Sequence, residues 1–156
     1  MSMNYQPPSE FLKAVVAEEV PLSGGIFAEN NLRRLITLMT DDDRANRDWA
    51  TMLVAQLDED TSDIRDALLR AATDEDEAVR AEAILGLAQR DPPSTLPLLK
   101  AALSSETAMP PIFEAAVLIA DKSIIGDLRQ FSAPSDNNYI DQLVADAIAA
   151  CERGSA

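Results

Sequence analysis

The chain has 156 residues, of which 47% are hydrophobic, 26% are charged and only 4% are aromatic. This composition excludes an unfolded chain, and the length suits one domain of close-packed helices rich in Ala and Leu. The formal net charge of −14 excludes the cationic surface that binding to nucleic acid or to an anionic membrane requires.

Apolar residues at helical spacing predict helices along the whole chain. Asp41 and Asp74 are the predicted N-caps of the third and fifth helices, and the acids after them suit the positive end of a helix dipole. The helices are expected at residues 10–19, 31–39, 44–57, 62–72, 76–89, 94–103, 111–120, 123–131 and 138–151.

Segments of this helical pattern repeat themselves. LITLMTDDD (residues 35–43) aligns without gaps on LLRAATDED (residues 68–76), and LLRAA (residues 68–72) recurs as LLKAA (residues 98–102). A period of 30–33 residues predicts stacked helix pairs, which is an all-α, α-α superhelix of about four pairs.

The period also divides the chain. The predicted repeats are residues 31–60, 61–91, 92–122 and 123–151, followed by a tail at residues 152–156. Residues 1–30 form a separate segment with one helix and the turn-rich PLSGGIF (residues 21–27). We expect this segment to cap the stack, because a terminal repeat otherwise exposes its apolar face.

Two stretches carry a family resemblance. Asp74 with VRAEAILGLA (residues 79–88) is similar to HEAT repeats, particularly the short bacterial, bilin-lyase-like variety. RDWAT (residues 47–51) and GLAQRD (residues 86–91) resemble small bacterial HEAT-repeat proteins of unsettled function. The resemblance covers most of residues 31–151, is strongest in the second repeat, and implies a HEAT-repeat solenoid.

The resemblance also implies a structural ladder in which loop acids meet helix arginines of neighbouring repeats. Ile112 and Val144 occupy the arginine position in the later repeats, so the ladder should be broken there. The residues that fit it are Asp41, Arg47, Asp74 and Arg80.

The residue types needed for common catalytic and metal sites are missing. The chain has no histidine, which excludes Ser-His-Asp and Cys-His arrangements and the HExxH zinc site. The single cysteine, Cys151, excludes an intramolecular disulfide. The acid clusters DDD (residues 41–43), DED (residues 58–60) and DEDE (residues 74–77) lack the spacing of a calcium loop and are interpreted as helix-capping residues. We therefore expect no catalytic residue, no metal and no cofactor.

Equivalent positions of the longer helices should form rows across one face of the stack, conventionally its concave face. The first row contains Trp49, Glu82, Glu114 and Asp146; the second contains Met52, Leu85, Val117 and Ala149; the third contains Gln56, Gln89 and Asp121. An apolar row beside acids predicts a recognition groove, and tryptophan is a frequent binding hot spot. Alternatively, the apolar row packs between the repeats as core.

These observations leave three functional hypotheses. The first is a non-catalytic adaptor that binds a basic protein partner. The second is an immunity-type inhibitor of a basic toxin, which the acidity and small size suit equally well. The third, from the resemblance alone, is an enzyme like the bilin lyases. We expect a cytoplasmic monomer or weak homo-oligomer that binds neither nucleic acid nor membrane.

Overall fold

The computed structural model describes residues 5–154, which form α-helices, one short 3-10 helix and connecting loops, with no β-strand in that range. None of the described helices has both the length and the apolar composition that a membrane span needs. In chain order the helices are α1 (Glu10–Val16), α2 (Ile26–Leu38), α3 (Arg44–Ala55), α4 (Ser62–Ala71), α5 (Glu77–Arg90), α6 (Pro92–Leu103), α7 (Pro110–Ile119), the 3-10 helix (Lys122–Ile124), α8 (Ile125–Arg129) and α9 (Asn138–Arg153).

The helices form two layers. α3, α5, α7 and α9 pack side by side, each against the next, and make the inner layer. α2, α4, α6 and α8 pack against the inner helices beside them in the chain and make the outer layer. Outer helices have little contact with one another, so this layer spreads while the inner layer stays close. The stack is therefore concave on its inner side, and the predicted α-α superhelix is confirmed.

A continuous core lies between the two layers, because each helix turns one apolar stripe toward it. α1 contributes Phe11, Leu12 and Val15 to this core and packs against α3. Full burial of a large apolar side chain stabilises a fold by about 1.5–3 kcal/mol. The largest fully buried side chains are Leu12, Leu35, Val54, Ile64, Leu68, Val79, Leu99, Leu103, Phe113, Ile124, Leu128 and Val144.

Small residues set the spacing of the inner layer, and Gly86 of α5 is the tightest example. A Cβ atom at Gly86 would lie 2.7 Å from the Ala55 Cβ and 3.0 Å from the Ala55 Cα of α3. The backbones of α3 and α5 therefore approach as closely as they do because position 86 has no side chain.

Arg90, the last residue of α5, holds the C-terminal end of α3. Its side chain is only 5% exposed. The guanidinium Nη1 donates hydrogen bonds to the Ala55 and Gly86 carbonyl oxygens at 3.0 and 2.9 Å. Nη2 donates to the carbonyl oxygens of Val54, Leu57 and Glu59 at 2.7–3.3 Å. One buried cation thus satisfies carbonyl groups that the end of a helix leaves without partners.

The helix N-caps lie two residues later than predicted. Asp43 and Asp76, not Asp41 and Asp74, cap α3 and α5, and each carboxylate accepts two backbone N–H groups of its helix. Asp41 and Asp74 instead accept the backbone N–H of the cap residue itself, at 3.0 and 2.8 Å. The acid-rich corners offer several carboxylates in a row, so composition alone does not identify the one in capping geometry.

The N-terminal segment and the last repeat also differ from the prediction. α2 begins at Ile26, inside the residues predicted as a turn, so the predicted boundary between residues 30 and 31 falls within a helix. The N-cap of α2 is Gly25, whose φ of 142° a glycine tolerates. The predicted helix 123–131 is a 3-10 turn followed by the five-residue α8.

We predict that Gly86→Ala lowers the free energy of unfolding by about 1–3 kcal/mol, because overpacking against the α3 backbone outweighs the better helix propensity of alanine. Gly126→Ala in α8 is the matched control, since no atom lies within 4 Å of a Cβ there. The control should be neutral or stabilising. Urea unfolding of both variants checks this, and equal effects would contradict the close approach.

We predict that Arg90→Ala lowers the free energy of unfolding by about 3 kcal/mol, because buried carbonyl groups lose their charged donor. Arg129→Ala, which removes an exposed arginine of α8, is the control and should change stability by less than about 0.5 kcal/mol. Thermal and urea unfolding measure both. A loss as small as the control's would show that the carbonyl contacts contribute little.

Candidate functional site

The candidate site is the inner face, which we define as the solvent-facing stripe of α3, α5, α7 and α9. On α5 this stripe contains Glu82, Leu85 and Gln89, which separate fully buried positions. The corresponding stripe of α3 contains Trp49 and Met52, and it continues to Gln56, the C-cap of this helix. The remaining predicted groove residues on this face are Glu114 and Val117 of α7 and Asp146 and Ala149 of α9, all half-buried or exposed.

Three carboxylates come together in the middle of the inner face. Glu82 is half-buried and lies between Asp48 of α3 and Glu114 of α7. Burial of Glu82, and then the negative charges of Asp48 and Glu114, raise its pKa from 4.5 to about 7. Among the described residues, none of these three carboxylates forms an ion pair. The centre of the inner face therefore concentrates negative charge. The cation that acts on it is Arg44, which is paired with Asp76 and lies close enough to Asp48 to interact with its charge.

A tyrosine flanks this acidic centre on each side. The Tyr5 hydroxyl donates a hydrogen bond to Asp48 Oδ2 at 2.9 Å, and the Tyr139 hydroxyl donates to Glu114 Oε1 at 3.2 Å. Burial and the hydrogen bond to Asp48 raise the pKa of Tyr5 to about 12. Both hydroxyls therefore remain protonated near neutral pH.

Trp49 lies beside the acidic centre under the ring of Tyr5. The two ring centroids are 5.3 Å apart and the planes are inclined by 27°, which is a stacked arrangement. The indole Nε1 is buried and has no hydrogen-bond partner among the described residues. Trp49 is thus half-buried, and part of the surface predicted to be open is covered by the segment before α1.

The apolar row has features of both interpretations made from the sequence. Leu85 and Val117 pack partly against the core, yet neither is fully buried. Met52 and Ala149 extend the row onto α3 and α9 and are also half-buried. The row is therefore the outer edge of the core and at the same time an apolar strip beside the carboxylates.

The third row is less uniform than predicted. Gln56 and Gln89 are exposed. Asp121, however, accepts the Ser123 backbone N–H at 2.8 Å and is the N-cap of the 3-10 helix. The interaction with the Ser123 side chain, and then this backbone hydrogen bond, lower the pKa of Asp121. Its carboxylate thus contributes to local structure, in addition to its predicted position in the groove. Asp146 accepts a hydrogen bond from the Gln142 amide at 2.8 Å.

The ladder residues lie at the loop ends of the repeats, away from the inner-face centre. Arg47 Nε and Nη2 donate to Asp74 Oδ2 and Oδ1 at 3.0 and 3.4 Å, so one rung joins the first two repeats. Asp41 instead accepts a hydrogen bond from the Asn46 amide at 2.9 Å. Arg80 donates to the backbone carbonyls of Asp74 and Glu75 at 2.7 and 3.0 Å. Asp41 and Arg80 thus make no side-chain rung within residues 5–154, which corrects that part of the prediction.

Sequence reasoning missed one carboxylate of the acidic centre and the two tyrosines that donate hydrogen bonds to it. Asp48 precedes Trp49 by one residue and falls outside the aligned rows. Tyr5 and Tyr139 come from the two ends of the described chain, 134 positions apart by their numbers, and reach the centre only through the fold. No local pattern marks either tyrosine. The one signal in the sequence is that aromatic residues are rare in this chain, at 4%.

The two-layer stack with this inner face defines a helical-repeat scaffold. A family model for HEAT repeats matches residues 32–120, which is more than half of the chain. The chain belongs to the HEAT-repeat family.

Individual relatives agree with this assignment. Protein YibA of Escherichia coli K12 and Protein YibA of Escherichia coli O157:H7 are each 35% identical over 106 residues, which cover 68% of this chain. The chain spans 38% of the length of these curated relatives. An X-ray structure of Escherichia coli YibA matches with a TM-score of 0.63 and 26% identity, covering 91% of this chain and 55% of that chain.

We predict that the stability of the protein falls as pH rises from about 4.5 to about 7, the range between the ordinary pKa of a glutamate and that of Glu82 in the fold. The folded state holds the proton of the Glu82 carboxyl more tightly than the unfolded chain does. The stabilisation from this proton is therefore fully present below about pH 4.5 and is lost as the pH rises through about 7.

Glu82→Gln should therefore stabilise the protein at pH 8 by on the order of 1–2 kcal/mol, after allowance for solvent screening, and change little at pH 4. Urea unfolding at both pH values measures the effect. Glu152→Gln, at an exposed position of α9, is the control. Equal behaviour of Glu82→Gln and the control at pH 8 would contradict the repulsion among the three carboxylates.

Proposed function

We propose that this HEAT-repeat protein is a non-catalytic scaffold whose inner face binds a basic, partly apolar segment of a protein partner. The observation that carries the proposal is the group of Asp48, Glu82 and Glu114, which lie together and form no salt bridge among the described residues. A lysine or arginine placed there would relieve their mutual repulsion and gain charge-assisted hydrogen bonds.

The adjacent apolar strip supports a peptide rather than a small cation. Met52, Leu85 and Val117 follow the carboxylates by about one helical turn on successive inner helices. An extended or helical segment that lies across α3, α5 and α7 would contact both strips. Burial of its apolar side chains would supply affinity, and the acids would supply orientation and long-range attraction.

Tyr5 and Trp49 bound the α3 end of this surface. A stacked aromatic pair offers a large, rigid area at small entropic cost, and a guanidinium packs well on such faces. We therefore place the arginine- or lysine-rich part of the partner between this pair and Glu82.

Fluorescence anisotropy with designed peptides tests the proposal. One peptide combines Lys and Leu, a second replaces Leu by Ser, and a third replaces Lys by Glu. We expect the Lys/Leu peptide to bind tightest, the Ser peptide more weakly and the Glu peptide not at all. Affinity for the Lys/Leu peptide should fall steeply with salt.

A matched pair of variants distinguishes a site from general acidity. Glu82→Gln combined with Glu114→Gln should weaken the Lys/Leu peptide at least about tenfold, because each lost charged contact costs about 1 kcal/mol or more. At pH 8, where Glu82 is mostly ionised, Asp63→Asn combined with Asp66→Asn removes a similar charge from exposed positions of the outer helix α4 and should change affinity less than about twofold. An equal loss of peptide affinity in both variants would show that the attraction comes from net charge alone, and it would overturn the inner-face proposal.

An immunity-type inhibitor would use the same surface, since covering a basic active site requires the same complementarity. A partner purified from the native cell distinguishes the two roles. An inhibitor abolishes the partner's own activity in a one-to-one complex, whereas an adaptor leaves that activity intact.

A further inference from the structure

Equivalent crevices between successive repeats have different chemistry in this protein. The first crevice lies between the first two repeats and is lined by Thr40, Arg47, Ala71 and Asp74, among others. The second lies between the next two and is lined by Thr73, Arg80, Ala102 and Thr107, among others. The repeat alignment places Thr73 on Thr40 and Arg80 on Arg47. The two crevices are therefore the same structural position seen twice.

An ion pair spans the first crevice. Arg47 Nη1 donates to the backbone carbonyls of Asp41 and Asp42 at 3.1 and 3.2 Å, which anchors the guanidinium in the loop. Its Nε and Nη2 then donate to the two carboxylate oxygens of Asp74, in the fork geometry that arginine forms with carboxylates. Both side chains are nearly buried, 12% and 13% exposed.

The second crevice repeats the anchor but lacks the carboxylate. Arg80 Nη1 donates to the carbonyls of Asp74 and Glu75 in the same way. Asp74 follows Arg47 by 27 residues, and the residue that follows Arg80 by 27 is Thr107. Arg80 Nε and Nη2 have no hydrogen-bond acceptor within residues 5–154. The fork that binds Asp74 in the first crevice therefore remains unpaired in the second.

An apolar cavity adjoins this fork. Its volume is about 270 Å³, and its charged lining residues are Arg80 and the solvent-exposed Glu77. Most of the remaining wall is aliphatic, with Ile84, Leu98 and Ile112 as its largest side chains. Alanines occupy the positions between them, which leaves open the space that larger side chains would fill. A cavity with apolar walls and one oriented charged group suits an amphipathic ligand.

We propose that the second crevice binds a small aliphatic monocarboxylate, whose carboxylate replaces the missing rung at Arg80 and whose hydrocarbon chain fills the cavity. The ligand carboxylate takes the place that Asp74 takes beside Arg47. Because the site lies between repeats, the ligand joins α5 to the following pair as the ion pair joins α3 to α5. This site does not depend on the proposed function of the inner face.

Octanoate is the probe, with 1-octanol as a control that has the same chain without charge and acetate as a control without the chain. Isothermal titration calorimetry should give at least about tenfold tighter binding of octanoate than of octanol, as expected for charge-assisted hydrogen bonds to an arginine. Acetate should bind more weakly than octanoate by a similar factor, because it buries no chain. Amide chemical-shift changes should be largest in residues 72–84 and 98–112.

Two variants at Thr107 test the missing rung directly. Thr107→Asp supplies an internal carboxylate and should reduce octanoate binding to the level of octanol, while the melting temperature without ligand rises. Thr107→Asn is nearly the same size without the charge and should keep the preference for octanoate. Ala102→Leu should weaken octanoate and octanol alike, because the side chain enters the cavity.

Circular dichroism and the binding of the Lys/Leu peptide verify that each variant is folded with its inner face intact. Equal affinity for octanoate and octanol would overturn the proposal, as would undiminished octanoate binding to folded Thr107→Asp. Shift changes confined to α3 and α9 would overturn it too, since they would place the ligand elsewhere.

Discussion

The close approach of the inner helices is the constraint on which the rest of this structure depends. Where α3 meets α5, a glycine lies against an alanine with no room for one more methyl group. Alanines occupy many other buried positions of the inner layer, including Ala83, Ala115 and Ala147. Larger residues there would separate the helices and leave gaps that neither layer could fill. Close packing on one side and wider spacing on the other give the stack its curvature.

This curvature has an electrostatic consequence. It brings residues from α3, α5 and α7 together on the concave side, and three of them are carboxylates. The high pKa of Glu82 reflects the free-energy cost of ionising it there, because burial and the negative charges of Asp48 and Glu114 disfavour the ionised form. This pKa shift has the same physical origin, burial beside like charges, as many pKa shifts in active sites.

Repetition makes the individual differences between repeats informative. Within residues 5–154, Arg47 pairs with Asp74, whereas the equivalent Arg80 has no carboxylate partner and lies beside an apolar cavity. Arg90 differs between repeats in another way. The aligned position of the first repeat is Leu57, and the Arg90 side chain binds backbone carbonyl groups at the end of α3. A scaffold whose repeats contact mainly their neighbours tolerates such local changes, because each one alters a single interface.

The sequence by itself determined the helical class, the period and the face on which Glu82, Leu85 and their counterparts lie, because helical periodicity and repeat register are local properties written along the chain. It also placed most helices within a few residues. The tertiary structure decided which corner acid caps each helix, where α2 begins, and that Tyr5, Asp48 and Tyr139 join the acidic centre. Those features depend on distances between segments remote in the chain, and a one-dimensional pattern contains no such distances. The curvature that brings them together arises only when the small residues of adjacent helices meet.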